Sequence, residues 1–159
     1  MILVTVGSQK FQFNRLLKKI DELIDKKVIT DKVFAQIGVS DYKPRNYEYT
    51  DFTTQDEFNK LLDESNMVIT HAGTGVIVNA VKKEKKVIAV PRLEKHGEHV
   101  DDHQIQLIKQ FEELNFIEPC YELDDLESKI EKIKNKEYSN YVSNTDAIIE
   151  SIREYIEKE

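Results

Sequence analysis

The sequence contains few of the residues that build disulfide-stapled or membrane-spanning proteins. Its 159 residues include one cysteine, three prolines, five glycines and no tryptophan. Because Cys120 has no second cysteine to pair with, an internal disulfide framework is excluded. No apolar run approaches the ~20 residues that a membrane-spanning helix needs, and the first residues lack the basic segment of a signal peptide. We therefore expect a soluble cytosolic protein.

Acidic residues outnumber basic residues in this sequence. Lysine and arginine together count 23 against 30 aspartate and glutamate residues, so the formal net charge is −7. This balance disfavours nonspecific binding to nucleic acid or to an anionic membrane. The length fits one domain, residues 1–159, which can bury roughly 70% of the surface that the unfolded chain exposes. We expect one folded unit with a substantial core and no nucleic-acid partner.

Short apolar runs alternate with helical patterns along the first 120 residues. The runs predict β-strands at 2–6, 33–37, 47–52, 67–70, 87–90 and 116–118. Apolar residues at steps of three and four predict intervening helices at about 13–24, 54–62, 74–83 and 99–114. This alternation predicts a single Rossmann-like α/β domain, with a mostly parallel sheet of about six strands and helices on both faces. Two further apolar stripes predict a helical extension over residues 121–159, at 123–133 and 148–156.

Three polar, glycine-bearing segments each follow a predicted strand. They are Gly7-Ser8-Gln9, His71-Ala72-Gly73-Thr74-Gly75 and the stretch from Arg92 to Gln104. Because ligands bind at the carboxyl ends of parallel strands, we expect all three segments to line one crevice. For the first segment, phosphate contact and simple turn formation are both open interpretations.

The second segment is the most informative, because a strand passes into a helix through small residues. Gly73 and Gly75 carry no side chains, so a ligand can approach the backbone closely. The free N–H groups of the first helical turn favour an anion such as a diphosphate, and the Thr74 hydroxyl can add a donor. A tight turn with no ligand is the alternative. The glycine pattern is neither a Walker loop nor a G-x-G-x-x-G motif.

The third segment concentrates histidine and aspartate where a helix is expected to begin. His99 and His103 are four residues apart and could share a helical face, so a metal site is one interpretation. A capped, solvated helix start is another. Recognition of sugar hydroxyls fits better, because Asp102, His103 and Gln104 offer several donors and acceptors together. No Asp-x-Asp metal motif is present, so we expect no metal and no other cofactor.

Three stretches resemble the carboxyl-terminal, donor-binding half of GT-B glycosyltransferases of the MurG type, in family 28. The stretches are Thr5 to Ser8 leading to Phe13, His71 to Gly75, and Val90 to Gln104. In order and spacing they are similar to the short stand-alone subunits of this family. These subunits are the Alg13-like proteins and the bacterial subunits of the PssE and EpsF kind, which belong to exopolysaccharide or capsule synthesis. The resemblance covers about residues 1–120.

This resemblance implies a UDP-sugar donor and a set of binding residues. The diphosphate is expected at the two glycine turns, the uracil near Phe52 and Thr53, and the sugar hydroxyls from Asp102 to Gln104. Relatives commonly place a glutamate after the glycine turn to hold the ribose, whereas this chain has Ile77 and Asn79 there. The full candidate donor site is Gly7, Ser8, Thr53, His71, Gly73, Thr74, Gly75, Asn79, Arg92, His99, Asp102, His103 and Gln104.

The resemblance also implies a second subunit. GT-B enzymes place the acceptor and the catalytic base largely on an amino-terminal half for which this chain has no room. His99 and His103 are therefore the sole catalytic candidates here, and the base is expected from the partner. In the stand-alone class a membrane-anchored Alg14-like or PssD-like subunit supplies that half and recruits a lipid-linked acceptor. We expect a heteromer at the cytoplasmic face of the membrane.

The apolar stripe at 148–156 is suited either to the subunit junction or to packing on its own domain, and an isolated chain could form homodimers.

Three functions are compatible with the residues of this sequence. The first is inverting transfer of a sugar from a UDP-sugar to a polyprenyl-diphosphate glycan. The second is a non-catalytic subunit that stabilises a complete transferase, which the departure at Ile77 and Asn79 motivates. The third is a nucleotide-binding or signalling module with a flavodoxin-like sheet.

Overall fold

Strands and helices alternate along the residues that the computed structural model describes, which are 1–7, 10–99 and 101–139. The strands are β1 (Ile2–Thr5), β2 (Val33–Gln36), β3 (Glu48–Thr50), β4 (Met67–Thr70), β5 (Lys86–Ala89) and β6 (Glu118–Pro119). The helices are α1 (Asn14–Asp25), α2 (Gln55–Glu64), α3 (Thr74–Lys82), α4 (His103–Glu113) and α5 (Leu126–Ile133). Short 3-10 turns occur at Glu94–His96 and Leu123–Asp125. None of these described helices has the length and apolar character that crossing a membrane requires.

All six strands pair in parallel, in the order β3-β2-β1-β4-β5-β6. In the centre, Thr5 of β1 is in register with Gln36 of β2 on one side and with Thr70 of β4 on the other. From β1 the chain runs outward to β3 and then returns to β4, so the strand order reverses between β1 and β4. Such a reversal leaves a crevice at the carboxyl ends of the strands, where the loops diverge to opposite faces.

Helices cover both faces of the sheet, as the apolar run of β1 predicts. Ile2 and Val4 belong to a core cluster with α1 and α5, whereas Leu3 belongs to a second cluster with residues of α2, α3 and α4. Alternate residues of a strand point to opposite faces, so a strand covered on both sides has no polar alternation. The expected parallel Rossmann-like sheet of six strands is confirmed.

The start of α4 differs from the prediction of a helix from about His99. Gly97, with φ of 68°, ends the preceding 3-10 turn, and α4 begins at His103. Between them the Asp101 N–H donates to His99 Nδ1 at 3.4 Å, and the His103 N–H donates to Asp101 Oδ1 at 3.0 Å. Such side chain–backbone bonds compete with helix formation. His99 therefore precedes α4, and the prediction that it shares a helical face with His103 is wrong.

The last strand is also displaced, because β6 covers Glu118–Pro119 and not 116–118. The N–H of Phe116 bonds back to a carbonyl of α4, so Phe116 belongs to the turn that ends this helix. Pro119 has no N–H to donate, which suits the outer edge of a sheet. The predicted apolar stripe at 148–156 lies outside the described residues.

The amino-terminus of α2 has the complete capping box that Thr54 and Glu57 allow. The Glu57 N–H donates to Thr54 Oγ1 at 3.1 Å, and the Thr54 N–H donates to Glu57 Oε2 at 3.3 Å. We expect Thr54→Ala to lower the free energy of unfolding by about 1 kcal/mol, because a helical N–H loses its acceptor. Urea unfolding followed by circular dichroism measures this loss. Thr53→Ala is the control, since the Thr53 hydroxyl has no hydrogen bond within the described ranges. Equal losses in both variants would contradict the expectation.

Candidate functional site

A cleft of about 310 Å³ opens at the carboxyl ends of β1 and β2, beside the first turn of α3. It is lined by Thr5, Gly7, Gln36, Phe52, Thr53, Thr54, Gln55, Phe58, Gly75, Val76 and Asn79. The cleft therefore brings together four of the predicted donor residues, namely Gly7, Thr53, Gly75 and Asn79. Ser8 lies outside the described residues.

The imidazole of His71 fills the space between the two glycine turns. A Cβ atom placed on Gly7 would lie 2.5 Å from Nε2 of His71, and one placed on Gly73 would lie 2.6 Å from the same atom. Gly7 also has φ of 75°, a conformation that strains other residues. Gly73 thus makes room for a buried side chain, which corrects the expectation that it opens the backbone to a ligand. At Gly75, apart from its chain neighbours and the backbone of its own helix, no described atom lies within 4 Å of a Cβ placed there, and ligand approach at this position stays a prediction.

Burial keeps the His71 imidazole neutral. Desolvation, with smaller contributions from the charges of Arg92 and His99, lowers its pKa to about 3. The Nδ1 atom of His71 is buried and has no hydrogen-bond partner in the described part of the chain. Buried polar atoms without a partner are uncommon in proteins. Contact between His71 and a ligand stays a prediction.

The first turn of α3 presents backbone N–H groups at the cleft. Gly73 is the N-cap residue, no side chain caps the helix, and the first turn contains no acidic residue. The first N–H groups of a helix have no intrahelical acceptor, and the helix dipole makes this end positive. Gly75 and Val76 line the cleft, whereas Thr74 lies in the same turn but outside the lining. This arrangement favours an anion.

Arg92, a predicted donor residue, is completely buried and does not line the cleft. Its guanidinium donates to carbonyl oxygens of Phe11 at 2.9 Å, Gln12 at 3.2 Å and Glu98 at 3.3 Å, and also to that of Val6. Arg92 therefore holds the loop after β1 from the interior, which corrects its assignment to direct donor contact. Burial lowers the pKa of its guanidinium to about 10, against the raising effect of Glu98. The group is still cationic at neutral pH.

Glu98 is a buried carboxylate that the sequence analysis did not single out. Its two oxygens each accept a hydrogen bond from Arg15 at 3.0 Å, and one of them also accepts the Leu93 N–H at 3.0 Å. This pair joins α1 to the loop after β5, the same loop that carries Arg92. No local sequence signal indicates its burial, because Glu98 follows exposed polar residues and resembles them.

Gln104 and Asp102 bind backbone groups of the loop after β5. Gln104 is buried, and its Oε1 accepts the Arg92 N–H at 2.9 Å. Asp102 is exposed, and its Oδ1 accepts the Glu94 N–H at 2.9 Å. Neither residue lines the cleft. Their contact with a sugar, which the resemblance implies, stays a prediction.

His99 and His103 meet at Asp101, outside the cleft lining. Their Nδ1 atoms lie 3.2 Å and 3.5 Å from its carboxylate oxygens. The hydrogen bond from the His103 backbone, together with both imidazoles, lowers the pKa of the Asp101 carboxyl against the effect of burial. His99 also packs on Phe11, with ring centroids 5.7 Å apart. Within residues 1–7, 10–99 and 101–139, no three His, Cys, Asp or Glu side chains form a group that could hold a metal ion.

Thr5 and Gln36 are lining residues that the sequence analysis missed. Thr5 Oγ1 donates to Gln36 Oε1 at 2.7 Å, and Gln36 Nε2 donates to Gly7 O at 3.0 Å and to Asp51 O at 2.9 Å. These bonds cross from β1 to the loop after β3. A single amide side chain within the apolar run 33–37 is the signal that could have indicated them.

Residues 1–158 match the sequence pattern of the glycosyltransferase family 28 C-terminal domain, and the chain belongs to this family. It is 25% identical over 114 residues, 70% of the chain, to UDP-N-acetylglucosamine transferase subunit ALG13 of Candida albicans, of which it covers 36%. It is 35% identical over 68 residues, 41% of the chain, to the protein of the same name from Debaryomyces hansenii, of which it covers 32%. The chain thus spans about a third of the length of these curated relatives.

Solved structures share the fold. An NMR structure of ALG13 matches 98% of this chain and 96% of its own, with a TM-score of 0.63 and 20% identity. A crystal structure of Acinetobacter baumannii MurG matches 84% of this chain and 41% of its own, with a TM-score of 0.59 and 18% identity. The Alg13-type and MurG-type fold expected from the motifs is therefore confirmed.

We expect Gly73→Ala and Gly75→Ala to act in opposite ways. At position 73 the new methyl meets the His71 ring, so the free energy of unfolding falls by about 1–3 kcal/mol. At position 75 the methyl meets open space within α3, so stability rises by about 0.5 kcal/mol. Because Gly75 lines the cleft, its variant should still weaken the binding of pyrophosphate, a simple anion, by about threefold or more. Thermal unfolding and calorimetric titration measure both effects, and two variants of equal stability would contradict the packing described.

Stability should decrease in mild acid because of His71. Its folded pKa of about 3 lies below the ordinary 6.5, so protonation favours the unfolded chain. The stability that the neutral ring provides is complete above about pH 6.5 and is lost as the pH falls toward 3. We expect the free energy of unfolding to fall by about 2 kcal/mol between pH 7 and pH 5. Urea unfolding measures the slope, and His71→Asn should abolish it. A variant that keeps the wild-type slope would refute this assignment.

Proposed function

We propose that this chain is the donor-binding subunit of a two-component, inverting glycosyltransferase that uses a UDP-sugar. Membership of family 28 supports this proposal, and so does the position of the cleft where the strand order reverses. One observation carries it: the first turn of α3 has no capping side chain and meets the cleft at Gly75. A lipid-linked glycan of polysaccharide biosynthesis is the acceptor that we propose.

In the proposed complex the donor spans the cleft. The diphosphate lies against Gly7 and the first turn of α3, and the uracil lies near Phe52 and Thr53 on the other side. Asn79 lines the same cleft one helical turn after Gly75. Its Nδ2 donates to Asn59 at 3.2 Å, which leaves the side-chain oxygen to accept from a ribose hydroxyl. A cleft of about 310 Å³ is large enough for a small ligand, and a few polar groups of the lining would orient that ligand.

Transfer would begin with attack of an acceptor hydroxyl on the anomeric carbon. The bond from this carbon to the acceptor oxygen forms while its bond to the diphosphate oxygen breaks, and UDP leaves. The hydroxyl proton passes to a general base. The departing diphosphate gains negative charge, which the N–H groups at the start of α3 stabilise together with the helix dipole. We propose that this stabilisation operates without a divalent cation.

The base is proposed to come from a second subunit. The cleft lining contains no aspartate, glutamate, histidine or lysine among the described residues. A hydroxyl bound there would therefore have no ionisable side chain beside it to accept its proton. The curated relatives are named as subunits, which supports a partner in general terms. We propose a membrane-anchored partner of the Alg14 or PssD kind that binds the acceptor and places this chain at the cytoplasmic face of the membrane.

A non-catalytic accessory subunit is the second candidate. The resemblance implies a ribose-binding glutamate on the helix after the glycine turn, where this chain has Ile77 and Asn79, and of these two Asn79 lines the cleft. A neutral amide interacts with two hydroxyls less strongly than a carboxylate does. In this alternative the chain stabilises a partner that transfers the sugar alone, and loss of nucleotide binding has no effect on transfer.

Calorimetric titration of UDP tests the principal proposal, on the isolated chain and on its complex with the partner. We expect binding between about 1 μM and 1 mM, unchanged by a chelator, because backbone N–H groups hold the diphosphate. Asn79→Ala should weaken UDP binding by about threefold to tenfold, because a hydroxyl partner is lost. Asn135→Ala, which changes an exposed asparagine outside the cleft lining, is the matched control.

Two outcomes separate the candidates. Absence of UDP binding in both the isolated chain and the complex would contradict donor binding. A variant that loses UDP binding, keeps the complex intact and still supports full transfer would identify an accessory subunit. Loss of transfer in that intact complex would support the donor-binding role.

A further inference from the structure

We propose that Gln36 is a positioning residue that sets the distance between the two sides of the cleft. This inference rests on the proposed function, because it concerns how the cleft spans a nucleoside diphosphate. One side is the turn at Gly7 after β1, and the other is the loop that continues from Asp51 to Thr53 after β3. Gln36 ends β2, which lies between β1 and β3, and 5% of its surface is exposed.

The side-chain amide of Gln36 binds both sides at once. Nε2 donates to Gly7 O at 3.0 Å and to Asp51 O at 2.9 Å, while Oε1 accepts from Thr5 Oγ1 at 2.7 Å. Both N–H groups and one oxygen lone pair are thus used, which holds the amide in one orientation. Within the described residues, no other side chain bonds to both Gly7 and Asp51.

The Gly7 side is held by several contacts that converge on Gln36. The Gly7 N–H points to Thr5 Oγ1 at 3.4 Å, the same oxygen that donates to Gln36. A Cβ placed on Gly38 would lie 2.9 Å from Gly7 O, so the carbonyl packs closely against the backbone that follows β2. Thr70 Oγ1 donates to the Thr5 carbonyl at 2.8 Å, which links these hydrogen-bonded residues of β1 and β2 to β4. Movement of Gly7 would therefore break the bond to Gln36.

The Asp51 side has fewer alternative anchors. β3 contains three residues and is the last strand of the sheet, so it pairs with β2 alone. The Asp51 carbonyl accepts from Gln36 Nε2 at 2.9 Å and from the Gly38 N–H at 2.8 Å. Phe52, the next residue, is 51% exposed and lines the cleft. The buried bond from Gln36 therefore acts together with the Gly38 N–H to hold this exposed loop, and it is the bond that ties the loop directly to Gly7.

The distance between the Gly7 side and the Asp51 side of the cleft should affect the affinity of ligands that bind both sides, and not that of ligands that bind one side. A ligand that binds both sides gains affinity only if the two sides are already at the right distance, because any reorganisation reduces the net binding free energy. Inorganic pyrophosphate is short enough to bind at one side. Loss of the Gln36 bonds should therefore weaken UDP binding and leave pyrophosphate binding largely unchanged.

Gln36→Leu tests this inference, because it keeps the approximate size of the side chain and removes all three hydrogen bonds. Calorimetry or NMR titration gives the Kd of UDP and of pyrophosphate for each protein. We expect the Kd of UDP to rise at least about tenfold and that of pyrophosphate to change by less than about threefold. Ser65→Ala is the matched control, since it removes a buried side-chain hydrogen bond to the Leu62 carbonyl outside the cleft lining, and we expect changes below about threefold for both ligands.

Gln36→Asn provides a second route if the leucine variant does not fold. Its shorter amide cannot reach both carbonyls, so the same selective loss of UDP affinity is expected. A Kd of UDP within about threefold of the wild type in the folded variant would overturn the inference. Equal losses of UDP and pyrophosphate would also overturn it, because they indicate damage to the whole cleft. If the wild-type chain itself fails to bind UDP, the proposed function fails, and this inference fails with it.

Discussion

The packing of one imidazole ring is the constraint on which the arrangement of the cleft depends. His71 lies at the end of β4 and occupies the space that side chains at Gly7 and Gly73 would need. Its burial keeps the ring neutral and brings the turn after β1 close to the turn before α3. Gly75 is left as the glycine that faces open space. The start of α3 therefore meets the cleft at Gly75, where no side chain of the glycine covers the backbone.

Two buried charged side chains, Arg92 and Glu98, hold these turns from the protein interior. Moving a guanidinium or a carboxylate out of water is costly unless hydrogen bonds replace the lost hydration. The terminal nitrogens of Arg92 meet this condition with four backbone carbonyls, whereas its buried Nε has no hydrogen-bond partner in the described residues. Glu98 meets the condition with Arg15 and one backbone N–H. As a result, the loop after β1, the loop after β5 and α1 form one connected body. A large part of the polar third segment, Gln104 included, supports the cleft from outside its lining.

Much of the fold could be predicted from local sequence patterns. The apolar run of β1 indicated a strand covered on both faces, and the threonine-glutamate pair indicated the start of α2, because both signals act over a few residues. The start of α4 was predicted too early. His99 and Asp101 accept backbone N–H groups at the position where apolar periodicity alone would begin the helix. A pattern of apolar residues contains no information about such side-chain bonds to the backbone.

The sequence by itself determined the alternation of strands and helices, and therefore the edge of the sheet at which polar loops gather. The family motif and the glycines at Gly7, Gly73 and Gly75 could also be recognised without coordinates. Only the tertiary structure decided which polar side chains face the cleft and which face the interior. Arg92 is buried because it meets carbonyls some eighty residues earlier in the chain, and Gln36 lines the cleft because parallel pairing places it between two loops. Burial depends on contacts between distant segments, and local sequence patterns do not specify such contacts.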